Sequence, residues 1–183
     1  MSVQLSFADA CNTIQSGDIV FIHRRSGFHG LSSIWPLVIE LFTGSALYHC
    51  GVAMWVTTPG SAPILMLVES TAGAGKRIVP LWIYSSHPIE VMPLPAAYSF
   101  NSMETAAIAS VGTEDYGYLD AISIALNESF GIKIGKFPNQ VCSQLCADLW
   151  TVAGVPVGPD LVSPGKLFTD LVPQAPISVT VGF

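Results

Sequence analysis

Between residues 47 and 70 the chain reads as two apolar runs broken by Thr57-Thr58-Pro59-Gly60-Ser61-Ala62-Pro63, a stretch of turn formers. This pattern predicts strands at 47–56 and 64–70 joined as a hairpin. A shorter apolar run, Ile19-Val20-Phe21-Ile22, follows Gly17-Asp18 and predicts another strand. Two more strands are expected at 76–84 and 88–93, separated by Ser85-Ser86. Helices are expected at 3–15, 31–42, 102–111, 118–129 and 141–153. The second of these has Ser32 or Ser33 as N-cap and Pro36 in its first turn, and Thr43-Gly44-Ser45 turns the chain after it. Pro164 is expected to open a last short helix running to Asp170, with an irregular tail from Pro173. Helix, strand, helix, a run of strands and then helices is the order of an α+β domain with a mostly antiparallel sheet packed against helices.

Strand alternation limits which side chains can meet. On the first hairpin strand His49, Gly51, Ala53 and Trp55 share a face, while Cys50, Val52 and Met54 take the other. On the second, Leu65, Leu67 and Glu69 lie together. A symmetric loop sets Gly51 opposite Glu69 and makes His49 its diagonal neighbour, about 7–8 Å away at Cα. Gly51 has no side chain to block that approach, so Glu69 can accept a hydrogen bond from His49 and fix its tautomer.

Val141-Cys142-Ser143-Gln144-Leu145-Cys146 follows Phe137-Pro138-Asn139, where a helix can begin. A cysteine at a helix start lies near unpaired N–H groups and the positive end of the dipole, which favours the thiolate. Cysteine, histidine and an orienting acid are the parts of a cysteine hydrolase, here Cys142, His49 and Glu69. The other cysteines read as packing residues: Cys50 points away from the His49 face, Cys146 sits one turn deeper than Cys142, and Cys11 has no partner in view.

Composition narrows the partners. The chain has 183 residues, half of them hydrophobic and only 11% charged, with mean hydropathy +0.53 and formal charge −6. That length fits one domain, residues 1–183. The apolar excess points to exposed apolar surface, a lipid-facing face or an oligomer. Seven scattered basic residues form no stripe, which argues against nucleic acid. The apolar run 31–42 carries Pro36 and Glu40 and is too short for a span of ~20 residues. The N-terminus lacks the basic and apolar regions of a signal peptide, so a cytoplasmic or phage-associated protein is expected. Cys142 and Cys146 have no second pair of zinc-like spacing, so no metal and no cofactor are expected.

The order of motifs resembles a known family. Gly17-Asp18-Ile19-Val20-Phe21, Phe42-Thr43-Gly44-Ser45 and Tyr48-His49-Cys50-Gly51-Val52-Ala53 look like the opening of the circularly permuted NlpC/P60 hydrolases. These form the YiiX-like branch of the papain-like superfamily, related to lecithin retinol acyltransferases. Val68-Glu69-Ser70, Tyr116-Gly117-Tyr118-Leu119, Val141-Cys142-Ser143-Gln144-Leu145 and Leu161-Val162-Ser163-Pro164-Gly165-Lys166-Leu167 look like its later motifs. The resemblance covers about residues 17–170 and implies a permuted papain-like fold. It matches Cys142 to the nucleophile, His49 to the base and Glu69 to the orienting acid. Tyr48, Cys50 and Gln144 depart from the usual serine, valine and acid. Tyr48 and Cys50, flanking His49 on the opposite face, are expected to leave it functional.

The resemblance implies acyl transfer through a thioester on a peptide or other amide, such as a cell-wall peptide. It equally implies an acyltransferase or thioesterase acting on fatty-acyl lipid. The backbone N–H of Cys142 is expected to bind the oxyanion, with Tyr116, Asn139 and Gln140 as candidates for a second donor. The helix at 31–42 reads as core or as a wall of an acyl site. Two other classes remain: a non-catalytic binding or structural module on the same scaffold, and a component of an oligomer or virion.

Overall fold

A computed structural model describes residues 3–5, 7–24, 45–113, 117–131, 140–158, 162–172 and 179–181. Among these residues seven strands form one sheet in the order β1-β7-β6-β2-β3-β4-β5. The strands are β1 (Val3–Leu5), β2 (Ile19–His23), β3 (Leu47–Val56), β4 (Ile64–Thr71), β5 (Gly75–Pro80), β6 (Ile89–Met92) and β7 (Val179–Val181). All neighbours are antiparallel except β1 and β7. The helices are α1 (Phe7–Thr13), α2 (Phe100–Ser110), α3 (Tyr118–Phe130), α4 (Cys142–Val152) and α5 (Pro164–Leu171). The α+β reading therefore holds, and β3 spans the residues expected of it.

The sheet is apolar on both faces, as its nearly unbroken apolar strands require. One face, with Ile19, Phe21, Cys50, Val52, Met54 and Val68, meets Met103 of α2, Leu145, Cys146 and Trp150 of α4, and Leu167 of α5. The other, with Val20, Ile22, Ala53 and Leu67, is covered by Ile14 beyond α1 and by Leu81. Helix α4 is buried along most of its length and packs on β3 and β4.

The Gly17-Asp18 pair has a structural role. Gly17 adopts φ +99°, a backbone region open to glycine. Its N–H donates to the Ala53 carbonyl, and its own carbonyl accepts the Trp150 indole N–H at 2.8 Å. Asp18 is buried and accepts from the Gln15 and Leu94 N–H groups at 2.8 and 2.9 Å. The turn thus ties β2 to β3, β6 and the far end of α4.

Several expectations change. Residues 3–15 are not one helix: Val3–Leu5 pair with β7, and only Phe7–Thr13 are helical. The tail contains β7, since a short segment with little local signal is stabilised by ladder bonds to its neighbours. The strand expected over 76–84 stops at Pro80, which cannot donate to a ladder, and Leu81–Tyr84 form a 3-10 turn. Helix α2 begins two residues before its expected start because Ser99 caps it. The helix expected at 31–42 lies outside the described residues.

Candidate active site

The β3–β4 hairpin sets the register read from its sequence. Gly51 pairs with Glu69, and the diagonal neighbour His49 places Nε2 at 2.8 Å from Glu69 Oε2. Both residues are buried, Glu69 completely. Gly51 has a further role in closing the hairpin. A methyl group there would stand 2.6 Å from Leu67 Cγ and 2.8 Å from the Val68 carbonyl oxygen. Its missing side chain allows the strands to close.

A bulge corrects the alternation next to His49. Ile22 pairs with His49 and His23 with Leu47, so Tyr48 is the extra residue on β3. Leu47 packs with the α4 face, whereas Tyr48 packs with the opposite cluster and its ring lies 6.2 Å from that of His49. Tyr48 therefore lies on His49's side of the sheet, not opposite it. Cys50 does face the other way, toward α4.

Glu69 is held on both oxygens. Oε2 accepts from His49 and from the Tyr84 hydroxyl at 2.7 Å. Oε1 accepts from Arg77 Nε and Nη2, each at 2.8 Å. Burial alone raises a carboxyl pKa, but these bonds from His49, Tyr84 and Arg77 outweigh it and hold Glu69 below its ordinary value. Burial pushes the Tyr84 phenol up, and the Glu69 carboxylate adds to that, so Tyr84 stays a neutral donor. Burial, with Glu69 and Cys142 nearby, likewise pushes Tyr48 up to about 12.

Cys142 comes to His49 from the other face of the sheet, at the first position of α4. The two side chains are hydrogen-bonded. Because Glu69 occupies Nε2, Nδ1 is the ring nitrogen left for the thiol. Burial opposes charge on the ring, but Cys142 and Glu69 prevail, and His49 is pushed up to about 10. A hydrogen bond from the Cys50 thiol leads the effects that hold Cys142 well below an ordinary thiol; burial opposes it, and the His49 charge and hydrogen bond reinforce it. Both directions favour a thiolate–imidazolium pair, backed by the Glu69 carboxylate.

The residue before α4 supplies no side-chain cap. Val141, the N-cap, has no acceptor on its side chain, unlike Ser99 and Ser163, which cap α2 and α5. Side-chain hydroxyls anchor the helix start on both sides of Cys142: Ser70 Oγ donates to the Gln140 carbonyl at 2.8 Å, and Ser143 Oγ donates to the Val162 carbonyl. The Gln140 side-chain amide donates to Asp148 on α4. Asp148 is six residues beyond Cys142, about 9 Å along the axis, so this bond engages the amide with the body of α4. Tyr116 and Asn139 lie outside the described residues.

Sequence reasoning missed Arg77, Tyr84 and the thiol contacts of Cys50. Arg77 was within reach, since the short turn between β4 and β5 places it directly opposite Glu69. Tyr84 was not, because the expected strand over 76–84 hid the turn that carries it back. Among the described residues no group of His, Cys, Asp and Glu could hold a metal ion, and no helix is long and apolar enough to cross a membrane. The chain matches no protein-family model, and no curated protein matches it.

Proposed function

We propose that this protein is a papain-like cysteine hydrolase of the circularly permuted NlpC/P60 type, cleaving an amide bond through a thioester. The observation that carries this reading is the buried chain of contacts from Cys142 through His49 to Glu69, at an uncapped helix start. A purely structural role for these residues would leave two charges buried at considerable cost, where apolar side chains of similar volume would serve.

In the proposed reaction the Cys142 thiolate attacks the carbonyl carbon of a peptide or related amide. The oxyanion that forms is met by the Cys142 backbone N–H. Collapse expels the amine, which takes its proton from His49, and leaves a thioester. His49, now neutral, accepts a proton from water as that water attacks the thioester. The acid departs and the thiolate–imidazolium pair is restored. Glu69 keeps the imidazole oriented and stabilises its charge, and Arg77 and Tyr84 keep Glu69 in place.

A second reading, transfer or hydrolysis of a fatty-acyl group, uses the same steps with an ester or thioester substrate. Its support is Trp82 and Ile83, 63% and 39% exposed on the turn that ends in Tyr84, which bonds Glu69. Apolar side chains presented beside a site suit an acyl chain.

The test is alkylation of each cysteine by iodoacetamide across pH, followed by turnover of peptide amides and of acyl thioesters. Fast labelling of Cys142 below the ordinary thiol range, slowed by His49→Ala, is expected, together with turnover abolished by Cys142→Ala. Slow labelling indifferent to His49 would favour a binding module.

A further inference from the structure

Beneath the proposed nucleophile lies a cluster of buried thiols that the hydrolytic steps do not use. Cys142 and Cys146 are one helical turn apart on α4, and Cys50 projects toward them from β3. Cys146 donates to Cys50 with the sulfurs 3.7 Å apart, and Cys142 belongs to the same buried cluster. Cys50 therefore faces both helix thiols across the packing of β3 on α4. It is fully buried, and Cys142 retains only 3% of its surface.

We propose that Cys50 is a resolving thiol for Cys142, so that a hydroperoxide converts the pair to an internal Cys50–Cys142 disulfide and switches the site off reversibly. In the first step the Cys142 sulfur attacks the peroxide O–O bond. The sulfur is oxidised to a sulfenic acid, the peroxide is reduced, and the departing alkoxide or hydroxide takes a proton from His49. In the second step the Cys50 sulfur attacks the Cys142 sulfenic sulfur. An S–S bond forms, the S–OH bond breaks, and the Cys50 proton leaves with the hydroxyl as water. Two thiols have then lost two electrons to one peroxide.

Geometry favours this route over the alternatives. A sulfenic acid that is nearly closed off from solvent meets few external thiols, whereas Cys50 already faces the residue that would be oxidised. Burial, with the hydrogen bonds to Cys142 and Cys146, holds Cys50 well above an ordinary thiol, so it waits as a neutral S–H donor until Cys142 is oxidised. A small uncharged peroxide suits a site with so little open surface. The proposal shares with the hydrolase reading the thiolate character of Cys142 and the proton on His49, and is indifferent to the bond cleaved.

The test treats the intact protein with one equivalent of hydrogen peroxide, blocks free thiols and maps the peptides by mass. It compares wild type, Cys50→Val and Cys146→Ala. Wild type and Cys146→Ala are expected to give a peptide pair joining residues 50 and 142, about 2 Da lighter than its two halves, with labelling of Cys142 restored by dithiothreitol. Cys50→Val, which keeps the apolar volume, is expected to trap sulfenic acid as a dimedone adduct and to pass to sulfinic acid that dithiothreitol does not reverse. Full recovery of Cys142 in Cys50→Val, a bridge only between 50 and 146 or between 142 and 146, or oxidation of Cys142 no faster than of Cys11 would overturn the proposal. The readout is peptide mass, so absence of hydrolysis leaves it intact while sinking the hydrolase reading.

Discussion

Arg77 stands directly across the β4–β5 ladder from Glu69 and binds one of its carboxylate oxygens through Nε and Nη2, both at 2.8 Å. Because Glu69 is completely buried while the Arg77 side chain is 38% exposed, the pair carries a buried carboxylate to the edge of solvent. The other oxygen is thereby left to His49 and Tyr84.

Removing that support has a predictable cost. Arg77→Met keeps the aliphatic stem but leaves Glu69 Oε1 buried without its donors. The expected loss is about 1–3 kcal/mol, the usual penalty for an orphaned buried acceptor. It should appear as a lower urea midpoint with an unchanged slope. Tyr84→Phe, which removes one donor to the oxygen shared with His49, is expected to lower kcat more than it changes KM.

The proposed ion pair predicts an unusual pH profile. Cys142 is held well below an ordinary thiol, and His49 is pushed up to about 10. Alkylation of Cys142 should therefore be nearly independent of pH across neutrality. It should fall only as acid protonates the sulfur, and turnover should fall as pH rises through about 10 and the imidazolium is lost. His49→Ala should reduce acylation by a factor of about 10²–10⁴, the span of general acid–base catalysis. Stopped-flow measurement of amine release would show it.

The same shifts make stability depend on pH with opposite signs at the two ends. Glu69 has a folded pKa below its ordinary 4.5, so its contribution is present above that value and is lost as pH falls through the lowered one. His49 has a folded pKa above its ordinary 6.5, so its contribution is complete below 6.5 and is lost as pH rises through about 10. Urea midpoints should accordingly decline at both extremes. In Glu69→Gln the acid-side decline should flatten. An acid limb as steep as that of wild type would show that another carboxylate governs it.

Gly51→Ala tests the closeness of β3 and β4. Contacts of 2.6 Å to the Leu67 side chain and 2.8 Å to the Val68 carbonyl cannot be accommodated without moving a strand. The expected destabilisation is about 1–3 kcal/mol, as for overpacked cores. Because Gly51 pairs with Glu69 and is two residues from His49, activity should fall further than the lost stability explains. Thermal melting and turnover measured on the same preparation would separate the two effects.

The meeting of His49 with Glu69 was legible in the sequence, because strand alternation and a hairpin loop are local and together set the register across β3 and β4. The apolar runs likewise marked α2, α3, α4 and α5 to within about two residues at their starts, since helical spacing and caps are written into neighbouring residues. Tertiary structure decided the rest. The bulge that turns Tyr48 to the side of His49 depends on how β2 pairs with β3. Strand β7 exists through its bonds to β1 and β6. Tyr84 reaches Glu69 because Pro80 ends β5 and the chain folds back. Cys50 was correctly placed away from His49, yet alternation alone could not show that α4 lies on that face with Cys142 and Cys146 against it. Local patterns fix where a side chain points relative to its own strand or helix; which partner waits there is decided by the packing of elements distant in the chain.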